Sequence, residues 1–599
     1  MKRPLRTTLT AIAAGLALAA GLAAPAGAAP AHPQHPAHPA HPTHPAHPKP
    51  KPPGHSKPKP PGHPGHPHRA ADAAETVAAM QPGWNLGNSL DAVGADETAW
   101  GNPRVTPELI AAVKDEGFRS IRVPVTWDDH QGGAPDYALD AAYLDRVEEV
   151  VDQALAEDLY VLLDIHHDSW LWANAMPTDP DGVRDRFRAT WEQLAERFRD
   201  HPSELLFESL NEPQFAGVDD AQGDLLLDDL NTVFHEVVRA SGGGNDDRLL
   251  VLPTLHTNAG QERLDALAGT IAELDDPQLA ATVHYYGYWP FSVNVAGGTR
   301  FDETSRADMT GTFDRVRATF VDQGIPVILG EYGLLGFDRH TGTIEQGEKL
   351  KFFEELGHQA RQAGVTTMLW DNGQHLDRTG FTWSDPELWA QVSSSWTTRS
   401  GTASTDQVFV RPDDVTAQTV TLEPHGTTLE GLFLDGEPVA AADAAVAGDE
   451  LTLSADYLTR LIGDGAHGEH ATIEARFSTG VPWRIHVIAA DTPVLADASG
   501  TVGGGVSIPT QFRGDRLATM ASVYADGTGA GQHGWTPFQE FDAAFAPDEA
   551  AGAIVLRPAY LDTLRDGEPV SLTFHFWSGD TVEYTVTRDG DAVTGTVGR

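Results

Sequence analysis

The 599-residue sequence contains no cysteine, which excludes disulfides, thiolate metal sites and a thiol nucleophile together. Stability must come from packing alone. Basic residues are scarce as well: 41 Lys and Arg face 86 Asp and Glu, a formal net charge of −45. A chain so acidic repels phosphate backbones and anionic lipid, so neither nucleic acid nor a membrane is an expected partner, while a neutral polymer is compatible. An ordinary solvated surface accounts for the charge equally well, and the charge names no substrate. Beyond the N-terminal leader no apolar run is long enough to cross a bilayer. There is no cofactor motif and no nucleophile elbow.

Residues 1–28 read as a signal peptide: Lys2, Arg3 and Arg6 precede an apolar Ala/Leu/Gly stretch that closes at Ala26-Gly27-Ala28. Export to the extracellular medium is expected, and loss of those three basic residues takes the charge to −48. Residues 30–69 form a His/Pro-rich linker carrying ten of the 26 histidines, with no apolar residue large enough to build a core. A stiff tether is the expected role, ahead of weak metal binding.

From 72 to 400 short apolar runs alternate with amphipathic helical patterns. The strand candidates are GWNL at 83, SIRVPV at 120, YVLLDI at 160, LLFESL at 205, LLVLPT at 249, ATVHYY at 281, PVILG at 326 and TTMLW at 366. Thr106 with Pro107 marks a helix start, and Trp191, Leu194 and Phe198 recur at helical spacing on a core face. Eight βα units without a Gly-rich phosphate loop predict an α/β fold of the (β/α)8 TIM-barrel type, not an open doubly wound sheet.

Catalytic groups of such barrels stand at the C-terminal ends of strands. The polar residues there are Arg122, Asp164 with His166 and His167, Asn211 and Glu212, His284 and Tyr286, Glu331, and Trp370. Two carboxylates from separate strand ends suit glycosidic cleavage, one protonating the leaving oxygen and the other attacking the anomeric carbon or activating water. Glu212 and Glu331 supply that pair. A strand-end glutamate is often a plain salt-bridge partner, but two of them set among aromatics are harder to dismiss. No metal is expected: adjacent histidines on a strand point to opposite faces and do not easily share one ion.

The motifs GWNLGNSLD at 83, IRVPVTW at 121, DIHHD at 164, NEP at 211, HYYGYW at 284, GEYG at 330 and LWDNG at 369 resemble glycoside hydrolase family 5, a group of retaining β-glycanases, over essentially the whole barrel. The resemblance implies that Glu212 is the general acid/base, Glu331 the nucleophile, and that no cofactor is needed. It also implies an endo-β-1,4-glucanase acting on cellulose, mixed-linkage glucan and, as a candidate, xyloglucan. A mannanase or xylanase with the same chemistry, or a catalytically silent polysaccharide-binding protein, are the alternatives. On that reading Asn211 serves the sugar 2-hydroxyl, Arg122 and Tyr286 keep Glu331 ionised, and Glu212 holds its proton until it acts. His166 and His284 bond sugar hydroxyls or tune the carboxylates, Trp370 stacks on a pyranose, and Trp127, His167 and Trp289 line the cleft.

After the barrel the helical period stops and short alternating runs take over, predicting two small β-sandwich modules. Residues 405–496 resemble the immunoglobulin-like X2 modules, with Tyr457, Phe477 and Trp483 as core positions and a spacer role. Residues 498–599 resemble carbohydrate-binding module family 46. Trp535, after a Gly-rich loop, and Trp577, before a Ser-Gly turn, are its candidate sugar contacts. A weak internal repeat, ADYLTRL at 455 and PAYLDTL at 558, links the two modules. A monomer is expected.

Overall fold

Eight parallel strands close into a barrel in sequence order: β1 (Gly83–Asn85), β2 (Ser120–Val123), β3 (Tyr160–Asp164), β4 (Leu205–Glu208), β5 (Leu250–Pro253), β6 (Leu279–Tyr285), β7 (Val327–Tyr332) and β8 (Thr366–Leu369). The computed structural model describes residues 72–598. The signal-peptide and linker readings fall outside the described residues.

Each strand coincides with one of the apolar runs, and the two-residue alternation decides what faces the axis. In β4, Leu205 and Phe207 pack outward against helices while Leu206 and Glu208 point in. In β2, Ile121 packs outward and Arg122 points in. Leu162, Leu206, Val251, Ala280, Ile328 and Met368 fill the barrel interior, with the helix Ala73–Ala79 closing its lower end through Val77. Outside, the helix Pro180–Phe198 buries Trp191, Leu194 and Phe198 completely, each contributing roughly 1.5–3 kcal/mol. Thr106 caps the helix Pro107–Asp115 by accepting from the Leu109 amide, with Pro107 in the first turn.

One irregularity serves the barrel mouth. Between β6 and β7 the register runs Val283 to Leu329 and then His284 to Glu331, so Gly330 is an extra residue, a bulge. A Cβ at Gly330 would sit 2.7 Å from Thr282 Oγ1 and 3.1 Å from His284 Nε2, which is why glycine stands there. The bulge brings His284 and Glu331 side by side.

Beyond the barrel come two β modules, each with a five-stranded and a four-stranded sheet, antiparallel except where Gln407–Val410 runs parallel to Trp483–Ala489. In both, a short helix (Ala455–Ile462, then Pro558–Asp562) precedes a long hairpin, as the weak repeat suggested. Tyr457, Phe477 and Trp483 are buried. The barrel and the second module share one apolar core. Arg399 bridges Glu354 and Glu355 at 2.7 and 2.9 Å beside that junction. The third module joins the second through Arg411 and Thr492, both on Asp580. It also rests on barrel loops: Gly297 lies against Phe538, Arg300 over the Trp577 ring, and Arg339 pairs with Glu540.

Candidate active site

Arg122, fully buried at the end of β2, organises the floor of the mouth. Its Nε and Nη2 donate to the two oxygens of Glu208 at 2.8 and 2.9 Å. Nη2 also lies 2.7 Å from Asp164 Oδ2 and donates to Asn211 Oδ1, while Nη1 donates to Glu331 Oε1 at 2.7 Å and to Asn85 Oδ1 at 3.2 Å. A planar guanidinium is the group that can serve so many acceptors at once. Burial pushes Asp164 up to about 7 and raises Glu208 as well, Arg122 opposing it in both. Arg122 is thus shared among three carboxyl groups.

Glu331 is almost wholly buried and also accepts from the Tyr286 hydroxyl at 2.6 Å. Burial raises its carboxyl, but the charges of His284 and Arg122 outweigh this and hold it below the usual carboxylate range. Glu212 follows β4 with a φ of +38°, a left-handed conformation that costs a non-glycine residue of order 1–3 kcal/mol and that clusters at functional sites. Its half-exposed carboxylate meets His284 Nδ1 at 3.0 Å, and the same nitrogen is 3.5 Å from Glu331 Oε2. Oxygens of the two glutamates and the His284 nitrogen all lie within 4.8 Å of one another.

In the ligand-free site the groups around Glu212 pull its titration in opposite directions. Burial raises Glu212, yet the His284 hydrogen bond and charge bring it below its ordinary value. His284 is itself raised, because Glu331 and Glu212 together overcome the burial that lowers it. His284 Nδ1, 3.0 Å from Glu212 Oε1, is thus within proton-transfer reach of it.

The structure gathers most of the expected residues at one mouth. His166 is buried with Nδ1 on Asp164 at 2.9 Å, and its ring lies parallel to Trp370 at 5.8 Å. Trp370 forms the floor, its ring packed above Gly87, where a Cβ would come within 2.9 Å of it. Trp289 sits on the loop after β6, and Trp535 of the third module lies 5.9 Å from it, 60% exposed. Trp127 is a correction: it is fully buried, edge-on to Tyr143, and cannot meet a sugar. Trp577 is half-buried, and Arg300 of the barrel lies over its ring at 4.9 Å, so it takes part in docking the third module.

The reason given against a shared ion at the histidine pair also fails. β3 ends at Asp164, so His166 and His167 do not alternate, and their rings approach to 4.5 Å beside Asp91. What argues against an ion is chemistry. Trp170 Nε1 donates to His167 Nδ1, so the proton of His167 sits on Nε2, the atom facing Asp91. A similar grouping of Glu354, Glu355 and His425 has both glutamates already paired with Arg399.

Several residues went unnoticed in the sequence. Asn85 ties Arg122 to the Gly330 carbonyl at 2.9 Å, and Glu208 anchors the other side of Arg122. Both are polar inward positions within apolar strands, a signal that was present. Trp100 and Trp170, each 41% exposed, flank His167 at 5.0 and 5.4 Å and form a second aromatic surface. Trp100 lies on an irregular segment and Trp170 on the four-residue helix Asp168–Leu171, both too short for periodicity to mark them.

Comparison with known proteins agrees with this architecture. The model of the cellulases of glycosyl hydrolase family 5 matches residues 85–376, that of carbohydrate binding domain X2 residues 402–487, and that of the carbohydrate binding domain CBM46 residues 491–596. Endoglucanase B of Paenibacillus lautus is 50% identical over 526 residues, 87% of this chain and 93% of that protein. The tri-modular endo-β-1,4-glucanase B of Bacillus halodurans superposes with a TM-score of 0.87 at 50% identity, covering 89% of this chain and 100% of its own. A tri-modular endo-β-1,4-glucanase of Bacillus licheniformis, solved with cellotetraose, gives 0.73 at 30% identity over 88% of this chain and 99% of its own. With the strand-end glutamates, the closed barrel and the order of the modules all in agreement, this chain belongs to the cellulases of glycosyl hydrolase family 5.

Proposed function

We propose that this family 5 enzyme, an endo-β-1,4-glucanase, cleaves β-glucan chains by a retaining double displacement, with Glu331 as nucleophile and Glu212 as acid/base. The observation that carries the reading is the closeness of the two carboxylates, oxygens of which lie within 4.8 Å of each other. So close an approach favours the ~5–5.5 Å carboxyl separation of retaining enzymes over the ~6.5–9.5 Å of inverting ones.

In the first half, a Glu331 oxygen forms a bond to the anomeric carbon while the glycosidic C–O bond breaks. Glu212 delivers a proton to the leaving oxygen. Bonding Glu331 to the sugar removes its negative charge, so His284 loses one of the two carboxylates that raise it. In the second half, Glu212 takes a proton from water, whose oxygen attacks the anomeric carbon and frees Glu331. Arg122 and Tyr286 stabilise the carboxylate as it leaves. Asn211, its Oδ1 held by Arg122, presents its amide to the sugar 2-hydroxyl.

Trp289 and Trp535 on one side of the mouth, and Trp100, His167 and Trp170 on the other, offer apolar faces to a long polymer. Stacking on several sugars favours internal cleavage, and it makes cellulose, mixed-linkage glucan and xyloglucan the substrates to test against mannan and xylan. The N-terminal leader supports secretion, which sequencing the N-terminus of protein from culture medium would check.

The decisive variant is Glu331→Gln. Turnover falls to background while cello-oligosaccharide binding is retained. Wild-type hydrolysis by that variant would overturn the nucleophile assignment.

A further inference from the structure

The loop after β6, residues 286–298, begins at Tyr286, whose hydroxyl holds Glu331, and ends underneath the third module. Two side chains on it do structural work. Ser292, 1% exposed, donates from Oγ to the Tyr286 carbonyl and accepts from the Leu335 amide at 2.7 Å, tying this loop to the one after β7. Asn294, 3% exposed and at a φ of +51°, donates from Nδ2 to the Thr343 carbonyl of the β7 loop at 3.3 Å and to the Ala518 carbonyl of the third module at 3.0 Å. Its own carbonyl accepts from the Phe541 amide of that module at 3.1 Å. Gly297 rests on Phe538, and Arg339 of the β7 loop pairs with Glu540.

We propose that Asn294 is a positioning residue for the nucleophile: by fastening the β6 loop to the third module, it keeps the Tyr286 hydroxyl on Glu331. The third module is then part of the catalytic frame as well as a surface for sugar. The proposal rests on Glu331 being the nucleophile. A small displacement suffices, because a hydrogen bond made at 2.6 Å is lost within a shift of about 1 Å, and such misplacement far from the chemistry is known to cost large factors in rate.

The test uses the full chain with Asn294→Gly, which removes the amide while permitting the positive φ, and Phe538→Ala, which loosens the same contact from the module side. Both are checked for folding by thermal unfolding. The readout is the pH dependence of kcat/KM on a soluble aryl β-cellobioside. Glu331 is faced by Arg122 from β2, His284 from β6, His166 after β3, Glu212 after β4 and Tyr286, so losing one of these contacts moves its titration only part of the way. The expected result is kcat reduced about tenfold, KM within about twofold, and the acid limb raised by about half a pH unit.

An unchanged acid limb in a folded variant would overturn the proposal, whether kcat is unaltered or merely lower. So would a loss confined to KM on polymeric glucan, which would leave the module as a binding surface only. Glu331→Gln assayed alongside separates the two readings: if it is inactive and Asn294→Gly behaves as wild type, only the positioning role falls.

Discussion

His284 Nδ1 stands between the two glutamates, 3.0 Å from Glu212 Oε1 and 3.5 Å from Glu331 Oε2. One imidazole thus touches both carboxyls and lowers the pKa of each.

Replacing His284 by Ala tests both roles. Both carboxyls lie below their ordinary range partly through His284, so each rises in the variant, and the acid limb of kcat/KM moves to higher pH. kcat falls about 10²–10³-fold through loss of the proton donor and the charge. In the wild type the alkaline limb lies above the ordinary histidine value of about 6.5, because His284 is raised. A pH profile of kcat/KM on a soluble β-glucan reads all three.

Arg122→Lys keeps the charge but not the fork. Lysine cannot span Glu208, Asp164 and Glu331, so buried carboxyls lose partners and the fold weakens by about 3–5 kcal/mol in denaturant unfolding. Activity falls with it, since Glu331 is then ionised less readily.

Gly330→Ala places a methyl group 2.7 Å from Thr282 Oγ1 and 3.1 Å from His284 Nε2. The strand must shift, carrying Glu331 with it. We expect kcat to drop more than about tenfold with KM little changed, as misaligned reacting groups require. Steady-state kinetics at the pH optimum decides it.

At the junction of barrel and second module, Glu345 and Asp406 are both buried and close, with Gln407 donating to Glu345 at 3.1 Å. Glu348, Lys349, Lys351 and Arg516 are the charged groups around them. Burial, aided by Asp406, pushes Glu345 up to about 8. An unfolded glutamate ionises near about 4.3, so between these values the folded protein holds a proton the unfolded chain has lost. Stability from this group is present at low pH and declines as pH rises toward 8. Thermal unfolding from pH 5 to 9 should show that decline, and Glu345→Gln should flatten part of it.

Much of this site was legible in the sequence because strand ends are local. The apolar run SIRVPV reveals Arg122 as an inward charge, and LLFESLNEP places Glu212 just beyond β4. The same alternation exposes Asn85 and Glu208, though their part in holding Arg122 emerges only when β1, β2 and β4 lie side by side. Trp127 was misjudged because its neighbours in sequence resemble a cleft segment, while its burial is decided by Tyr143 on a later helix. The histidine pair was misjudged because the end of β3, which the sequence leaves uncertain by a residue or two, decides whether the two side chains diverge.

The sequence by itself determined the eight-stranded barrel, the two β modules and the placing of the two glutamates at strand ends, since all depend on short-range periodicity and on which residues terminate apolar runs. Tertiary structure alone decided that His284 stands between the two glutamates, which tryptophans meet solvent, and that the third module rests on the loops behind Tyr286. Those properties arise from contacts between segments hundreds of residues apart, such as Asn294 with Ala518, whose energies depend on loop packing that no local pattern encodes.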